Sequence, residues 1–246
     1  MKNNKYQRNV KIITEVHPQF LGNMNELKRM ILQSKIGGAN CVKVQLYSSE
    51  KLFNNKEREY LEISKKELSD IKKFSNDNDI ELSASIFDEE KLEWCEDLGF
   101  NTYKIASRTL ADDIKLCEKI ISTKKDIIIS LGMFDYKKNG QPFSDNEKIK
   151  YLYCISKYPT MLEEVDMPDF DKSFFSGFSD HTIGIAACIY AISKGAKIIE
   201  KHFSNNKSLN VATQLAHTCS MDFNDLSLLR SLSDSLSLIK SKETKN

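Results

Sequence analysis

Short apolar runs alternate with helix-patterned segments along the whole chain. Residues 10–16 and 41–46 have the apolar character of buried strands, and residues 24–36 between them repeat apolar positions as an amphipathic helix does. A Gly37-Gly38 pair marks the end of that helix. The same analysis predicts six further strands, at residues 80–85, 102–107, 126–131, 149–155, 174–180 and 196–203.

Helical patterns occupy several of the intervals between these strands. They cover residues 68–74, 89–98, 113–122 and 183–194, with a closing helix from about 224 to 239. Strands alternating with helices indicate a parallel sheet, and no Rossmann glycine pattern follows a strand. Eight such units favour an α/β fold of the closed (β/α)8 TIM-barrel type. A length of 246 residues suits one barrel or two small domains, and without a linker or internal repeat we interpret residues 1–246 as one barrel domain.

One unit departs from the alternation. Between Met133 and Lys150 the chain contains Lys138-Asn139-Gly140-Gln141-Pro142, a run that interrupts a helix. We therefore expect the fifth helix of the barrel to be stunted or replaced by a loop. Residues 241–246 have the composition of a frayed tail.

Net charge and cysteine usage limit the binding partners and the cellular compartment to be expected. The net charge is +1, which gives no field to attract nucleic acid or an anionic membrane. No apolar run approaches 18 residues, and the amino terminus lacks a secretory apolar segment. Cys41, Cys154 and Cys188 lie in apolar stretches without a C-x-x-C pair, as buried free thiols do. We expect a cytoplasmic protein that binds neither nucleic acid nor membrane.

Two histidines stand where neighbouring strands are predicted to end. His181 follows Gly177-Phe178-Ser179-Asp180, His202 follows Glu200-Lys201, and a helix is predicted between the two segments. A βαβ unit of this spacing brings both imidazoles to the same edge of the sheet, where barrels place their sites. Imidazole is the commonest protein ligand for metals, which suggests a divalent ion. The alternative is two unrelated histidines, each satisfied by local hydrogen bonds.

Further polar residues surround the same predicted edge. Lys43 and Lys104 are flanked by apolar residues, and an inward lysine has to be paired or bind an anion. The alternative is an outward side chain whose amine reaches solvent. With several hydroxyls nearby, the inward orientation predicts a phosphate or carboxylate pocket. The other candidates on this edge are Glu15, Gln45, Ser83, Ser85, Ser107, Ser130, Ser156, Tyr158, Ser179 and Glu200.

Several motifs, in the right order, resemble those of the sialic acid synthase family. The most specific are Ser179-Asp180-His181-Thr182 and Glu200-Lys201-His202-Phe203, similar to the SDHT and EKHF signatures. Residues 13–15, 38–45, 103–107, 129–133 and 154–159 resemble the family's other strand motifs. The family condenses phosphoenolpyruvate with an N-acylated amino sugar to form nonulosonic acids on a (β/α)8 barrel.

The resemblance implies a role for each candidate. His181 and His202 would bind Mn²⁺, or Mg²⁺, which polarises the sugar aldehyde. Glu15, Gln45 and Tyr158 match positions that face the sugar, and Glu15, Lys43, Lys104 and His202 would form the catalytic set. Phosphoenolpyruvate would be held by Lys43, Ser85, Lys104, Ser107, Ser130, Ser156 and Ser179.

The departures from the family pattern concentrate on the predicted sugar side. Gln19-Phe20 replaces an Asn-His pair, and Arg108-Thr109 replaces Gly-Glu, which adds a cation suited to an acidic or phosphorylated acceptor. The family's GPDH is replaced by Gln214-Leu215-Ala216-His217, and His217 is either a surviving site residue that contacts substrate or a loop histidine. The chain also ends where the family's C-terminal antifreeze-like domain would begin, so a homodimer or a separate chain supplying that domain is expected.

Three functions remain open at this stage. The first is a metal-dependent synthase joining phosphoenolpyruvate to an amino-sugar aldose, and the second is a phosphoenolpyruvate enzyme with a different acceptor. The third is a catalytically inactive, sugar-phosphate-binding barrel. The retained histidines and lysines argue against the third function, whereas Ala216 and Thr109 keep it open.

Overall fold

The predicted strands form a closed parallel barrel, in sequence order, with the last strand pairing with the first. The structure is a computed structural model that describes residues 9–209 and 216–243. The (β/α)8 prediction is confirmed. The strands are β1 Lys11–Glu15, β2 Cys41–Leu46, β3 Glu81–Ile86, β4 Thr102–Ile105, β5 Asp126–Ser130, β6 Ile149–Cys154, β7 Phe175–Asp180 and β8 Ile198–His202.

Helices cover the outside of the barrel. The first begins after Asn23, whose side chain accepts hydrogen bonds from two backbone N–H groups of the first turn, and ends at Gly38 with φ of +94°. The stop predicted at the glycine pair is thus confirmed. The helices are α1 Met24–Gly37, α2 Ser49–Phe53, α3 Lys65–Asp77, α4 Glu89–Asp97, α5 Ser107–Asp112, α6 Ile114–Ser122, α7 Tyr136–Asn139, α8 Ala186–Ser193 and α9 Phe223–Glu243.

Two of the connections between strands are reduced. In the fifth unit, α7 is a single turn of four residues, as predicted from the Lys-Asn-Gly-Gln-Pro run. The sixth connection contains only a 3₁₀ turn, Leu162–Glu164, so the expectation of a helix between every pair of strands is wrong there. Pro159 and Pro168 flank that turn and remove backbone donors that a helix would use.

The barrel interior is layered, and the layers position the site. Ile13, Cys41, Ile128, Leu152 and Ile198 form one buried apolar cluster inside the barrel. Because side chains alternate along a strand, the residue two positions further on points inward again, one layer closer to the carboxyl ends. Those next residues are Glu15, Lys43, Ser130, Cys154 and Glu200. A polar layer therefore lies directly on an apolar one.

Two smaller expectations can be compared with the structure. All six cysteines are buried and free. In the described residues, no helix has the length and apolar character needed to cross a membrane.

Candidate active site

A cavity of about 380 Å³ opens at the carboxyl ends of the strands. This volume lies in the range of small-molecule sites. The structure brings together almost every predicted site residue in its lining: Glu15, Lys43, Gln45, Ser85, Lys104, Ser107, Ser130, Ser156, Tyr158, Ser179, His181 and His202. Ser83 lies lower in the barrel, where it accepts a hydrogen bond from the Cys41 thiol with an Sγ–Oγ distance of 3.3 Å.

Four charged side chains, Glu15, Lys43, Lys104 and Glu200, form what we call the floor of the cavity. The Lys43 Nζ lies 2.6 Å from a Glu15 carboxylate oxygen and 3.4 Å from a Glu200 oxygen. The Lys104 Nζ lies 3.8 Å from the other Glu200 oxygen. Each of these side chains is at most 7% exposed. The inward orientation predicted for both lysines is confirmed, and their charges are balanced by two carboxylates.

The two floor lysines differ in how well they are compensated. Burial lowers the pKa of both, but contacts with Glu15 and Glu200 raise the pKa of Lys43 above its usual range. The pKa of Lys104 stays lowered, because burial dominates and the nearest Glu200 oxygen lies 3.8 Å away. Lys104 is therefore the cation with more to gain from an incoming anion.

Hydroxyl groups surround the four charged side chains of the floor. Lys43 donates to the Ser85 Oγ at 3.1 Å, and Lys104 donates to the Ser130 Oγ at 2.7 Å. Ser179 donates to a Glu200 oxygen at 3.0 Å. The Ser107 Oγ accepts from the Gly132 backbone N–H at 2.9 Å. Hydroxyl and ammonium groups arranged in this way can bind the oxygens of a phosphate or carboxylate.

The two histidines face each other across one side of the cavity, with ring centroids 5.8 Å apart. The Nδ1 of His181 lies 2.7 Å from the Ile155 carbonyl, and the Nδ1 of His202 lies 2.9 Å from the Gln19 side-chain oxygen. Since both partners are acceptors, each Nδ1 carries the hydrogen, and in the neutral ring Nε2 has the lone pair. No motif in the sequence indicates that Gln19 orients His202.

This arrangement fits a metal ion. Histidines that bind metals usually donate their second ring N–H to an oxygen, as both do here. Burial, and next the neighbouring His181, lower the pKa of His202, which keeps its ring neutral. Among the described residues no group of three or more His, Cys, Asp and Glu ligands is assembled, so two imidazoles would leave several coordination positions for substrate or water.

A buried ion pair on the outer face of the strands fixes the strand ends that carry the histidines. The Lys201 Nζ lies 2.7 Å from the Asp180 carboxylate, and both side chains have no exposed surface. The same ammonium donates to the Thr182 carbonyl at 2.7 Å, and Asp180 accepts from the Thr182 backbone N–H at 2.8 Å. In the SDHT and EKHF motifs, alternate residues thus face the cavity or hold β7 against β8.

The opening of the cavity is built from the segment after β2 and from α5. We call Phe53, Arg58 and Arg108 the mouth. The guanidinium carbon of Arg58 lies 4.3 Å from the centre of the Phe53 ring, and that of Arg108 lies 5.4 Å from it. All three residues line the cavity. Phe53 and Arg58 lie in no recognisable motif, and sequence reasoning missed them. Tyr158 packs against His181, with ring centroids 4.1 Å apart and the ring planes tilted by 39°.

The residues that depart from the family pattern do not all line the cavity, so the expectation that they concentrate on the sugar side is wrong for some of them. Phe20 is 1% exposed and packs in the core against His17, so it replaces no cavity contact. Thr109 is buried in α5 and also lies outside the described lining. Arg108 and Ala216 do line the cavity.

His217 is not brought into the described part of the site. Its side chain is fully buried, with Nδ1 lying 2.8 Å from the Ser204 Oγ and 3.0 Å from the Asn206 carbonyl. This geometry favours the loop role over contact with substrate. Gln214 and Leu215, which stand where the family has the Gly-Pro of GPDH, lie outside the described residues.

The fold and site define a barrel with a floor of buried lysines and carboxylates beside a pair of histidines suited to a metal. The chain belongs to the NeuB family, whose sequence model matches residues 30–245. The family suggested by the sequence motifs is thereby confirmed.

Individual relatives agree with this assignment. A pseudaminic acid synthase of Helicobacter pylori is 31% identical over 243 residues, which cover 87% of this chain and 70% of the relative. An uncharacterized protein of Methanocaldococcus jannaschii is 31% identical over 80% of this chain, which spans 63% of that relative's length. A solved sialic acid synthetase from Leptospira borgpetersenii serovar Hardjo-bovis, in complex with citrate, superposes with a TM-score of 0.81 at 27% identity, covering 94% and 84% of the two chains.

Proposed function

We propose that this protein condenses phosphoenolpyruvate with an amino-sugar aldose to form a nonulosonic acid and inorganic phosphate. The observation that carries the proposal is the buried floor, where Lys43 and Lys104 lie among hydroxyls in the same cavity as His181 and His202. Membership of the NeuB family and the pseudaminic acid synthase among its relatives support the same chemistry.

Phosphoenolpyruvate would bind to the floor. Its carboxylate and phosphate need cations in a desolvated pocket, and within the described residues Lys104 is compensated by a carboxylate 3.8 Å away. Ser85, Ser130 and Ser179 already accept from or donate to floor residues and can re-aim their hydroxyls toward ligand oxygens. Ser107 and Ser156 extend the hydroxyl set from the same lining.

The pair of histidines would hold Mn²⁺ or Mg²⁺ through their Nε2 atoms. When bound, the ion supplies a Lewis acid that polarises the sugar aldehyde. Gln19 and the Ile155 carbonyl fix the ring orientations by accepting from Nδ1. The lowered pKa of His202 keeps that ring neutral, whereas contacts with Cys154 outweigh burial and raise the pKa of His181, so an ion that binds there would displace a proton.

The bond changes follow from the substrates. C3 of phosphoenolpyruvate forms a carbon–carbon bond to the aldehyde carbon, whose oxygen becomes a hydroxyl after taking a proton. Water adds at C2, and the C2–O bond to phosphate breaks, which leaves a keto acid and phosphate. Burial raises the pKa of Glu15, so this carboxyl is the floor group best suited to hold and return a proton. Gln45 and Tyr158 line the side on which the sugar would lie.

The acceptor is expected to differ from free N-acetylmannosamine. Two of the departures that motivated this expectation, Arg108 and Ala216, do line the cavity, whereas Phe20 no longer supports it. We propose that the unmodified sugar is a poor substrate for the chain on its own.

The test is an assay of phosphate release with phosphoenolpyruvate, Mn²⁺ and a panel of N-acylated aldoses, with product masses measured in parallel. The panel contains N-acetylmannosamine, its 6-phosphate and 2,4-diacetamido hexoses. We expect phosphate and a new acid in equal amounts with at least one member, and neither product with His202→Ala. Absence of phosphate release across the panel would contradict the synthase and favour an inactive binding protein.

A further inference from the structure

The charges that line the cavity do not balance. Its lining includes four cationic side chains, on Lys43, Arg58, Lys104 and Arg108, and two carboxylates. Both carboxylates are on the floor, where they lie within 4.0 Å of the lysines. Neither arginine forms an ion pair with a carboxylate in the described part of the chain. The excess of two positive charges therefore lies at the mouth.

The mouth arginines lie against the partly buried ring of Phe53, which packs on the buried ring of Tyr47. Phe53 packs edge-on against Tyr47, with centroids 5.5 Å apart, and the Tyr47 hydroxyl lies 3.1 Å from Nε2 of the buried His17. Both guanidinium groups lie against the Phe53 ring. Stacking of this kind leaves the N–H groups along the guanidinium edge available to a ligand.

The segment that carries Arg58 is itself tied down. Ser49, which is fully buried, donates from its hydroxyl to the Asn55 carbonyl at 2.9 Å and accepts from the Arg58 backbone N–H at 3.2 Å. The Ser49 backbone N–H is bound by the Glu62 carboxylate at 2.5 Å. The loop from α2 to the 3₁₀ turn Glu59–Leu61 is thus closed on itself before any ligand arrives, which lowers the entropy cost of binding there.

From these observations we infer that Arg58 and Arg108 form a second anion subsite, separate from the floor, that binds an anionic group at the far end of the acceptor. The subsite takes a phosphorylated or carboxylated aldose in preference to a neutral one. Arg108 is exposed and Arg58 partly exposed, whereas the floor is buried, so the subsite lies toward solvent from the reacting carbons. The identification of the ligand as an acceptor rests on the proposed function.

The experiment is calorimetric titration of the protein with N-acetylmannosamine 6-phosphate and with N-acetylmannosamine, without phosphoenolpyruvate or metal so that no turnover occurs. We expect the phosphorylated sugar to bind at least about tenfold more tightly to the wild type, as charge-assisted hydrogen bonds imply. In Arg58→Gln/Arg108→Gln the two affinities should fall within about twofold of each other. Arg58→Lys should keep part of the preference, because it retains charge without the planar fork.

A control and a second ligand separate the possible outcomes. Arg29→Gln removes an exposed arginine on α1 and should leave the preference intact. If the double variant instead weakens phosphoenolpyruvate binding and leaves the sugar preference unchanged, the arginines serve that phosphate and the inference is overturned. Equal affinity of the wild type for both sugars overturns it as well. A retained sugar preference without turnover on any acceptor would reject the proposed function and leave the subsite standing.

Discussion

The floor and the mouth of the cavity are built in opposite ways. The floor places four charges on strands, buries each to at most 7% exposure, and pairs every cation with a carboxylate. The mouth places two arginines on a loop and a short helix, with an aromatic ring as their common contact in the described residues. Buried charges are tolerated only when compensated, whereas charges near solvent need no partner. The floor is therefore integral to folding, and the mouth is free to vary with the ligand.

The largest expected effect is on stability. Lys43→Met leaves Glu15 and Glu200 with reduced compensation and should lower the free energy of unfolding by about 3–5 kcal/mol. Lys43→Met/Glu15→Gln should recover most of that loss, because the uncompensated carboxylate is removed as well. Arg58→Gln should cost about 1 kcal/mol or less. Urea unfolding measures the free energy of unfolding of all three variants against that of the wild type.

Equal losses at Lys43 and Arg58, or no recovery in the double variant, would show that the floor is not a mutually compensating set. The contrast between the floor and the mouth would then not be explained by the pairing of charges.

The second effect is on metal affinity. His181→Ala and His202→Ala should each abolish measurable Mn²⁺ binding, and Gln19→Ala should weaken it about 10- to 100-fold, because the ring of His202 loses the acceptor that orients it. Calorimetric titration with Mn²⁺ measures the affinities. Phe53→Leu, a change confined to the mouth, is the control and should leave them unaltered. Unchanged affinity in both histidine variants would exclude this metal site.

The third effect concerns His17, whose backbone N–H donates to Glu15 of the floor and whose ring contacts Tyr47, the neighbour of Phe53 at the mouth. Burial, and then the charges of Lys43 and Arg58, lower its pKa to about 3. As pH falls below about 6.5, the unfolded chain binds a proton at this residue that the folded protein does not bind, so stability is lost by up to about 1.4 kcal/mol per pH unit. In His17→Phe the slope of stability against pH between 6.5 and 4 should be shallower by that amount. Superimposable slopes would contradict the assignment.

Much of the floor could be predicted from the sequence, for a physical reason. Lys43 and Lys104 stand within apolar strands, and period-two alternation places them with Glu15 on the inner face. Glu200 was placed on the same rim, but its role as the carboxylate shared by both lysines depends on distances across the barrel.

The mouth could not be predicted in the same way. Phe53 and Arg58 lie on an irregular segment without periodicity, so their position at the cavity depends on tertiary contacts such as those of Ser49. At Phe20 the sequence predicts a cavity contact that the structure does not have. The position matches a family motif, but the ring packs into the core. The absence of a helix between β6 and β7 has a local signal in the sequence, Pro159 and Pro168.

The most direct test of the division between floor and mouth is the thermal shift produced by phosphoenolpyruvate in metal-free protein. A ligand that binds only the folded state raises Tm. We predict a clear rise for the wild type, a comparable rise for Arg58→Gln/Arg108→Gln, and none for Lys104→Met, which remains folded because Lys43 still compensates Glu200. A full shift in Lys104→Met together with its loss in the arginine variant would place phosphoenolpyruvate at the mouth and contradict the account.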